Sequence, residues 1–241
     1  LVSILARDIP VTYEEEAIRA QAVIVRTNYE YALSQGKEPE TGLSVAEQTK
    51  LFGNENYKKY YQKLENCLID TKGEVLTYQG QEIEAPYFAV SAEKTRGTEL
   101  PYLQSVESIW DITSEDFLKV EFYDAGELAD TCNQAFPEAG LTAEDWVNTL
   151  VVIEREESGY VKTIQVGNSS VSGEEFRKAF SLNSACFYIK EIDGRVRIVT
   201  KGLGHGYGLS IYGANEMAKE GKTYQEILNY YYSGVEITKK E

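Results

Sequence analysis

The sequence predicts an α+β fold, a helix-and-sheet core with a smaller mixed α/β subdomain inserted into it. One long helical pattern runs over residues 14–35. Hairpin signals around Gly80, Ser158–Gly159 and Asp193–Gly194 call for antiparallel strands. From about residue 111 to 184, short helical and strand-like runs alternate, whereas the longer patterns lie on either side. The expected organisation is a core of residues 1–110 plus 185–241, with residues 111–184 as the insertion.

The elements follow in order. Leu1 to Leu5 opens within a strand-like or helical pattern and without a Met, so the chain is expected to be part of a longer protein. Thr12 and Glu15 have capping-box spacing, which predicts a helix start; good helix formers continue to Gln35, and Gly36 sits where a C-terminal cap belongs. Ile18, Ala22, Val25, Tyr29 and Leu33 step at helical spacing, and Ala17, Ala20, Val23 and Ile24 widen the stripe, so this helix is mostly buried. Arg19 and Arg26, seven residues apart, share one of its faces. Buried cations need anionic partners, supplied either by the chain's own carboxylates or by a ligand.

Ser44 and Glu47 cap a second helix, and residues 56–66 carry a third, rich in Tyr and Lys. Strand patterns at 74–78 and 82–91 flank the turn at Gly80, and the polar loop 91–97 leads on to Pro101. The middle block holds a hairpin, 151–155 with 160–164, and a helix capped by Ser172 and Glu175. Asp193–Gly194 is a two-residue turn between strands at 186–191 and 195–200. Next comes the densest glycine stretch, residues 201–210, holding the chain's only histidine, His205, with a glycine on each side. Strand, glycine-rich loop and helix in succession present backbone N–H groups and one reactive side chain to a ligand; a tight connection with a structural histidine is the other reading. Thr223 and Glu226 cap the last helix.

Composition excludes several classes. The chain carries 39 acids against 24 bases, net charge -15, so no basic stripe exists to neutralise phosphates, and nucleic acid and an anionic membrane are unfavourable partners. No apolar run approaches a membrane span. Cys67, Cys132 and Cys186 are far apart and odd in number, with neither a metal spacing nor a disulfide framework; ordinary buried thiols are expected. Eighteen tyrosines against eight phenylalanines suit half-buried grooves, where a ring stacks on a sugar while its hydroxyl hydrogen-bonds.

Several segments, in order and nearly end to end, resemble the stage II sporulation protein D family, lytic transglycosylases that include the amidase-enhancer proteins. Residues 202–214 resemble its glycine-histidine-glycine signature, extended by Met217 to Gly221 and Tyr224 to Tyr231. Glu16 to Thr27 resembles its amino-terminal helix, Thr71 to Tyr78 with Ala85-Pro86-Tyr87 its hairpin, and Pro101-Tyr102-Leu103 what comes after. The resemblance implies cleavage of peptidoglycan glycan strands, stripped of stem peptides, after N-acetylmuramic acid. One carboxyl protonates the leaving oxygen and then accepts the proton of the sugar's own C6 hydroxyl, which closes a 1,6-anhydro ring.

The position matching the family's catalytic glutamate is Asp8, in the segment ending at Pro10. Aspartate is one C–C bond shorter, about 1.5 Å, and misplacement of roughly 1 Å can cost on the order of a hundredfold in rate. From the residues alone, a charge stabilising the N-terminus of the next helix is the stronger reading of Asp8. The resemblance makes Arg19, Arg26 and Lys94 a cationic lining, and Ser91, Thr95, His205, Ser210 and Tyr212 contacts to sugar hydroxyls. The chain departs from the pattern at Ala92–Glu93, where the family usually has two glycines, and at Ile211, usually Gln. Residues 87–91 lack the His and Cys with which some members bind zinc, so neither a catalytic metal nor another cofactor is expected. The implied partners are glycan strands and other cell-wall remodelling proteins, outside the cytoplasmic membrane, with an N-terminal anchor beyond this chain. A binding or amidase-enhancer-like module with weak or no turnover is the alternative.

Overall fold

The computed structural model describes residues 1–240 and has a mixed α+β fold of helices and small antiparallel sheets. In chain order the elements are α1 (Val2–Asp8), α2 (Glu15–Ser34), α3 (Val45–Phe52), α4 (Tyr57–Asp70), β1 (Glu74–Tyr78), β2 (Gln81–Glu82), β3 (Tyr87–Phe88), a 3₁₀ turn (Ile109–Thr113), β4 (Leu118–Tyr123), α5 (Ala125–Ala135), α6 (Trp146–Thr149), β5 (Leu150–Arg155), β6 (Val161–Val166), β7 (Ser169–Ser172), α7 (Gly173–Ala179), β8 (Phe187–Ile192), β9 (Arg195–Lys201), β10 (Leu209–Ser210), α8 (Ile211–Lys219), α9 (Tyr224–Tyr231) and β11 (Glu236–Lys239). The chain divides into two compact units. One is Leu1–Tyr87, Thr98–Gln104 and Gly208–Glu241; the other is Phe88–Gly97 and Ser105–Tyr207.

In the first unit, α2 is the organising element. It is buried over Ala17, Ile18 and Ala20 to Thr27, and packs on α4, α8, α9 and β1. Ile18, Ile24, Leu64, Leu76, Ile227, Tyr231 and Tyr232 are fully buried around it. The helix ends as its sequence predicts: Gly36 has φ +66°, its N–H reaches Leu33 O, and Lys37 N–H reaches back to Ala32 O. It begins differently. Tyr13 N–H bonds to Pro10 O, a turn that delays the helix; Glu14 becomes the N-cap without a side-chain cap, and its N–H is taken by Asn215 Oδ1 at 2.9 Å. The Thr12–Glu15 box is therefore not used. The boxes at Ser44, Ser172 and Thr223 are present, and Asp124 adds one on α5.

The sheet of this unit has the order β11–β1–β2, antiparallel, with Val75 opposite Thr238 and Thr77 opposite Glu82. Gln79 and Gly80, both with positive φ, make the two-residue turn. The second hairpin strand, expected over 82–91, is shorter: β2 covers two residues and β3 resumes after Pro86, which has no N–H to give to a ladder.

The second unit holds two three-stranded antiparallel sheets, β4–β9–β8 and β5–β6–β7. Asp193 (φ +52°) and Gly194 (φ +76°) turn β8 into β9, and β9 pairs in turn with β4, Val120 facing Val199. Leu128, Cys132, Ile164, Val166, Phe176, Phe187, Val196 and Ile198 form its core. Phe176 stacks on Phe180 and Phe187 with ring centroids 4.6 and 5.0 Å apart.

Candidate functional site

Asp8 is the last residue of α1, seven positions before α2 begins, so it does not serve the N-terminus of α2. A carboxylate at a helix C-terminus is disfavoured by the helix dipole, and its neighbours compensate. Arg7 Nε donates to Oδ1 at 2.6 Å and Tyr87 Oη to Oδ2 at 2.6 Å. The Asp8 side chain is left only 6% exposed. Arg7 reaches further, to Thr41 O at 2.8 Å and to the Glu40 carboxylate. Its hydrogen bond to Asp8 above all holds the guanidinium above its ordinary pKa, against its own burial. The Tyr87 phenol is also pushed up, chiefly by burial and then by its hydrogen bond to Asp8, which favours the protonated, donating form. Sequence reasoning singled out neither Arg7 nor Tyr87; the Tyr87–Asp8 contact spans 79 residues, whereas Arg7 is the immediate neighbour of Asp8.

Beside this cluster the first unit has an open cleft lined by Tyr29, Tyr31, Lys37, Glu40, Glu84 and Tyr87. Tyrosine rings and carboxylates are groups that stack on sugar rings and accept from sugar hydroxyls. The excess of Tyr over Phe is the sequence signal for such a surface.

The two arginines of α2 both tie down the C-terminal end of α4. Arg19 pairs with Asp70 at 2.9 Å and with Glu15 and Glu16 at 2.7 and 2.6 Å, the carboxylate pairing a half-buried cation needs. Arg26 is 9% exposed and donates to three main-chain carbonyls, Thr71 at 2.7 Å, Glu74 at 2.9 Å and Leu68 at 3.1 Å. Burial lowers its pKa. In the same unit, fully buried Ser210 caps α8, its Oγ accepting from Gly213 N–H at 3.2 Å, and Tyr212 is half-buried in the first turn of that helix.

Ser91, Lys94, Thr95 and His205 lie in the second unit. Buried Ser91 gives its N–H to Asp111 Oδ1 at 3.0 Å. Thr95 Oγ1 accepts from Val106 N–H at 2.9 Å. Lys94, half-exposed, pairs with Glu107 at 2.9 Å. His205 Nδ1 accepts from Tyr207 N–H at 3.0 Å, which leaves Nε2 to carry the proton of the neutral ring. The imidazole lies between the rings of Phe88 and Tyr207, with centroids 5.6 and 5.8 Å away.

Arg96, which the sequence did not mark, fixes the histidine loop. Its guanidinium is buried between the rings of Tyr160 and Tyr207, at 5.0 and 4.5 Å, and pairs with Glu156 and Glu174. Its Nη1 also donates to His205 O at 3.2 Å, and its N–H to Gly206 O at 2.7 Å. Gly206 has φ +87°, and a Cβ there would fall 2.6 Å from the Tyr160 ring and 2.9 Å from Arg96 Cδ. The glycine is required by this close approach as well as by its backbone angle.

The Ala92–Glu93 departure has a visible consequence. Glu93 holds φ +83°, a region that favours glycine. Its carboxylate is tied to Lys201 Nζ at 2.6 Å and its carbonyl accepts from Ser108 N–H at 2.6 Å. Among the described residues, no three His, Cys, Asp or Glu side chains gather as a metal site.

Fold and clusters together define an α+β protein with one held carboxyl in the first unit and, in the second, a histidine loop locked by a buried arginine. Residues 1–78 match the family model described as Stage II sporulation protein. Across its whole length the chain is 30% identical to stage II sporulation protein D of Bacillus amyloliquefaciens and 31% identical to that of Bacillus subtilis, covering 74% of each. It is also similar to the amidase enhancer of Bacillus subtilis, 23% identical over 99% of this chain and 40% of the relative. The chain belongs to the stage II sporulation protein D family.

Proposed function

We propose that this protein acts on the cell wall during sporulation, outside the cytoplasmic membrane, as a lytic transglycosylase that cleaves peptide-free glycan strands after N-acetylmuramic acid. The family assignment supports the sporulation role, and the similarity to an amidase enhancer supports the link to the wall. The observation that carries the reaction is the state of Asp8. The residue matching the family's acid is largely withdrawn from water, and each carboxyl oxygen is held by a donor from a different segment. To act as acid, the carboxyl first takes up a proton on an oxygen that now accepts from Arg7 or Tyr87; it then delivers that proton to the glycosidic oxygen and takes the C6 hydroxyl proton as the anhydro ring closes. No second carboxyl is required, because no water attacks from the opposite face. Tyr87 and Arg7 hold the carboxylate between these two transfers. The tyrosine-lined cleft next to them offers stacking surfaces for neighbouring sugars.

Digestion of peptide-free glycan strands, read by mass spectrometry for anhydro-ended products, tests this. The parent is expected to release them, Asp8→Asn to release none, and Asp8→Glu, with the longer reach, to release more. An Asp8→Asn protein as productive as the parent removes Asp8 as the acid.

A second reading has its own support. Both Asp8 oxygens are already occupied, by Arg7 and Tyr87, an arrangement that also suits a retained structural cluster in a glycan-binding, enhancer-like module. Glycan binding without product from either the parent or Asp8→Glu favours that reading.

A further inference from the structure

The sheet β4–β9–β8 of the second unit has two unlike faces. Phe187, Val196 and Ile198 point into the core of that unit, with Tyr123 and Ile189 packed against it. Residues directly opposite one another in an antiparallel pair share a face. The register therefore places Leu118, Val120, Phe122, Tyr188, Lys190, Ile192, Arg195, Arg197, Val199 and Lys201 together on the other face. That face is open: Leu118, Val120 and Phe122 are 53%, 50% and 45% exposed. The outer side of an antiparallel sheet is ordinarily polar. A contiguous exposed apolar row marks an interaction surface.

Its charge is equally unusual. In a chain with 39 acids and 24 bases, these ten positions include four cations and no acid. Arg195 is matched by Asp124 at 3.3 Å and Lys201 by Glu93 at 2.6 Å. Lys190 and Arg197 stand directly opposite each other with no ion pair among the described residues, and the buried Arg197 Nε has no acceptor. Like charges placed opposite cost stability, and an unsatisfied buried donor adds to that. With Tyr188 and Val199 these two cations line one shallow pocket. Arg155 covers the Tyr188 ring at 4.3 Å, so the pocket's aromatic wall is already backed by a further cation.

We infer that this face docks an acidic, apolar segment of a partner protein, one in extended conformation that places carboxylates at alternate residues between aliphatic side chains. Arg195, Arg197, Val199 and Lys201 project at two-residue intervals along β9, the spacing of side chains on one face of an extended peptide. Carboxylates opposite Lys190 and Arg197 relieve their mutual repulsion. Leu118, Val120 and Ile192 give branched apolar surface that suits a protein segment better than a hydroxyl-rich glycan. A second copy of the chain, itself at -15, is repelled over the same distances.

The test is an NMR titration of the ¹⁵N-labelled chain with a synthetic peptide alternating Glu with Val and Leu, alongside its Gln-for-Glu counterpart. Saturable amide shifts confined to β4, β8 and β9 are expected. Affinity should fall about tenfold or more at high salt, with the Gln peptide, and in a Lys190→Glu/Arg197→Glu variant, since steering and pairing charges are lost together. A Val120→Ser variant, which keeps the charges, separates the apolar contribution, and its melting temperature verifies folding. The inference is overturned by shifts elsewhere, by no shifts at saturating peptide, or by equal binding of the Gln peptide. It also falls if the same variant abolishes binding to anionic lipid vesicles or self-association, because the occupant is then a membrane or a second copy. None of these outcomes depends on glycan cleavage, so the result stands apart from the reading of Asp8.

Discussion

Replacing Arg26 by Met keeps much of the buried side-chain volume and deletes the guanidinium that holds three carbonyls at the join of α4 and β1. The Thr71 oxygen keeps a second donor, Glu74 N–H at 3.1 Å, so the Leu68 and Glu74 oxygens bear the loss. A buried acceptor left without its donor costs roughly 1–3 kcal/mol, so two cost about 4 kcal/mol. Removing a charge whose burial was unfavourable, as its lowered pKa records, returns part of this. The net expectation is a destabilisation of about 3 kcal/mol. At roughly 3 °C per kcal/mol for a chain of this size, the melting temperature should fall by about 9 °C. Differential scanning calorimetry measures it, with glycan co-sedimentation at a temperature where both proteins are folded as the parallel readout. Glycan binding should be retained. A variant that melts within about 2 °C of the parent yet no longer binds glycan refutes the reasoning, and makes Arg26 a ligand-facing cation.

Two further outcomes are expected. Gly206→Ala should cost more than Gly194→Ala, because both force a side chain to positive φ, at roughly 1–2 kcal/mol, but only the Gly206 Cβ meets a neighbour, 2.6 Å from Tyr160, whereas Gly194 meets nothing within 4 Å; equal losses in urea denaturation would falsify the close-packing account. Alkaline stability should be limited by the buried thiols, since burial raises Cys67 and Cys186 from 9.0 to about 11 and Cys132 to about 12. Folded pKa values above the unfolded ones mean that the contribution is complete below about pH 9 and disappears as pH climbs through 11–12. The melting temperature should be flat to about pH 9 and then decline, less steeply in Cys132→Ala, and an unchanged value at pH 11 would contradict this.

Much of the local structure could be read from the residues. The α2 stripe, the boxes at Ser44, Ser172 and Thr223, the Schellman ending at Gly36 and the Asp193–Gly194 turn are all specified within a few positions. The Thr12–Glu15 box misled because a side chain from 201 residues away, Asn215, takes the N–H at Glu14. The candidate site was legible only in part. Family resemblance pointed to Asp8 and His205, but their immediate partners, Tyr87 for the one and Arg96 for the other, are set by contacts spanning 79 and 109 residues. Arg96 sat inside a polar loop with nothing in its neighbours to mark it for burial between two tyrosines.

Taken by itself, the sequence determined the α+β class, the family and the glycines that the histidine loop requires, because periodicity, capping and turn chemistry act over short spans. Only the tertiary structure decided which charges are spent inside the fold and which stay available. Arg26 is consumed by carbonyls at the join of α4 and β1, while Lys190 and Arg197 face each other with no ion pair among the described residues. A cation's partner is whatever packing brings within hydrogen-bond reach, and that distance is not written in sequence order.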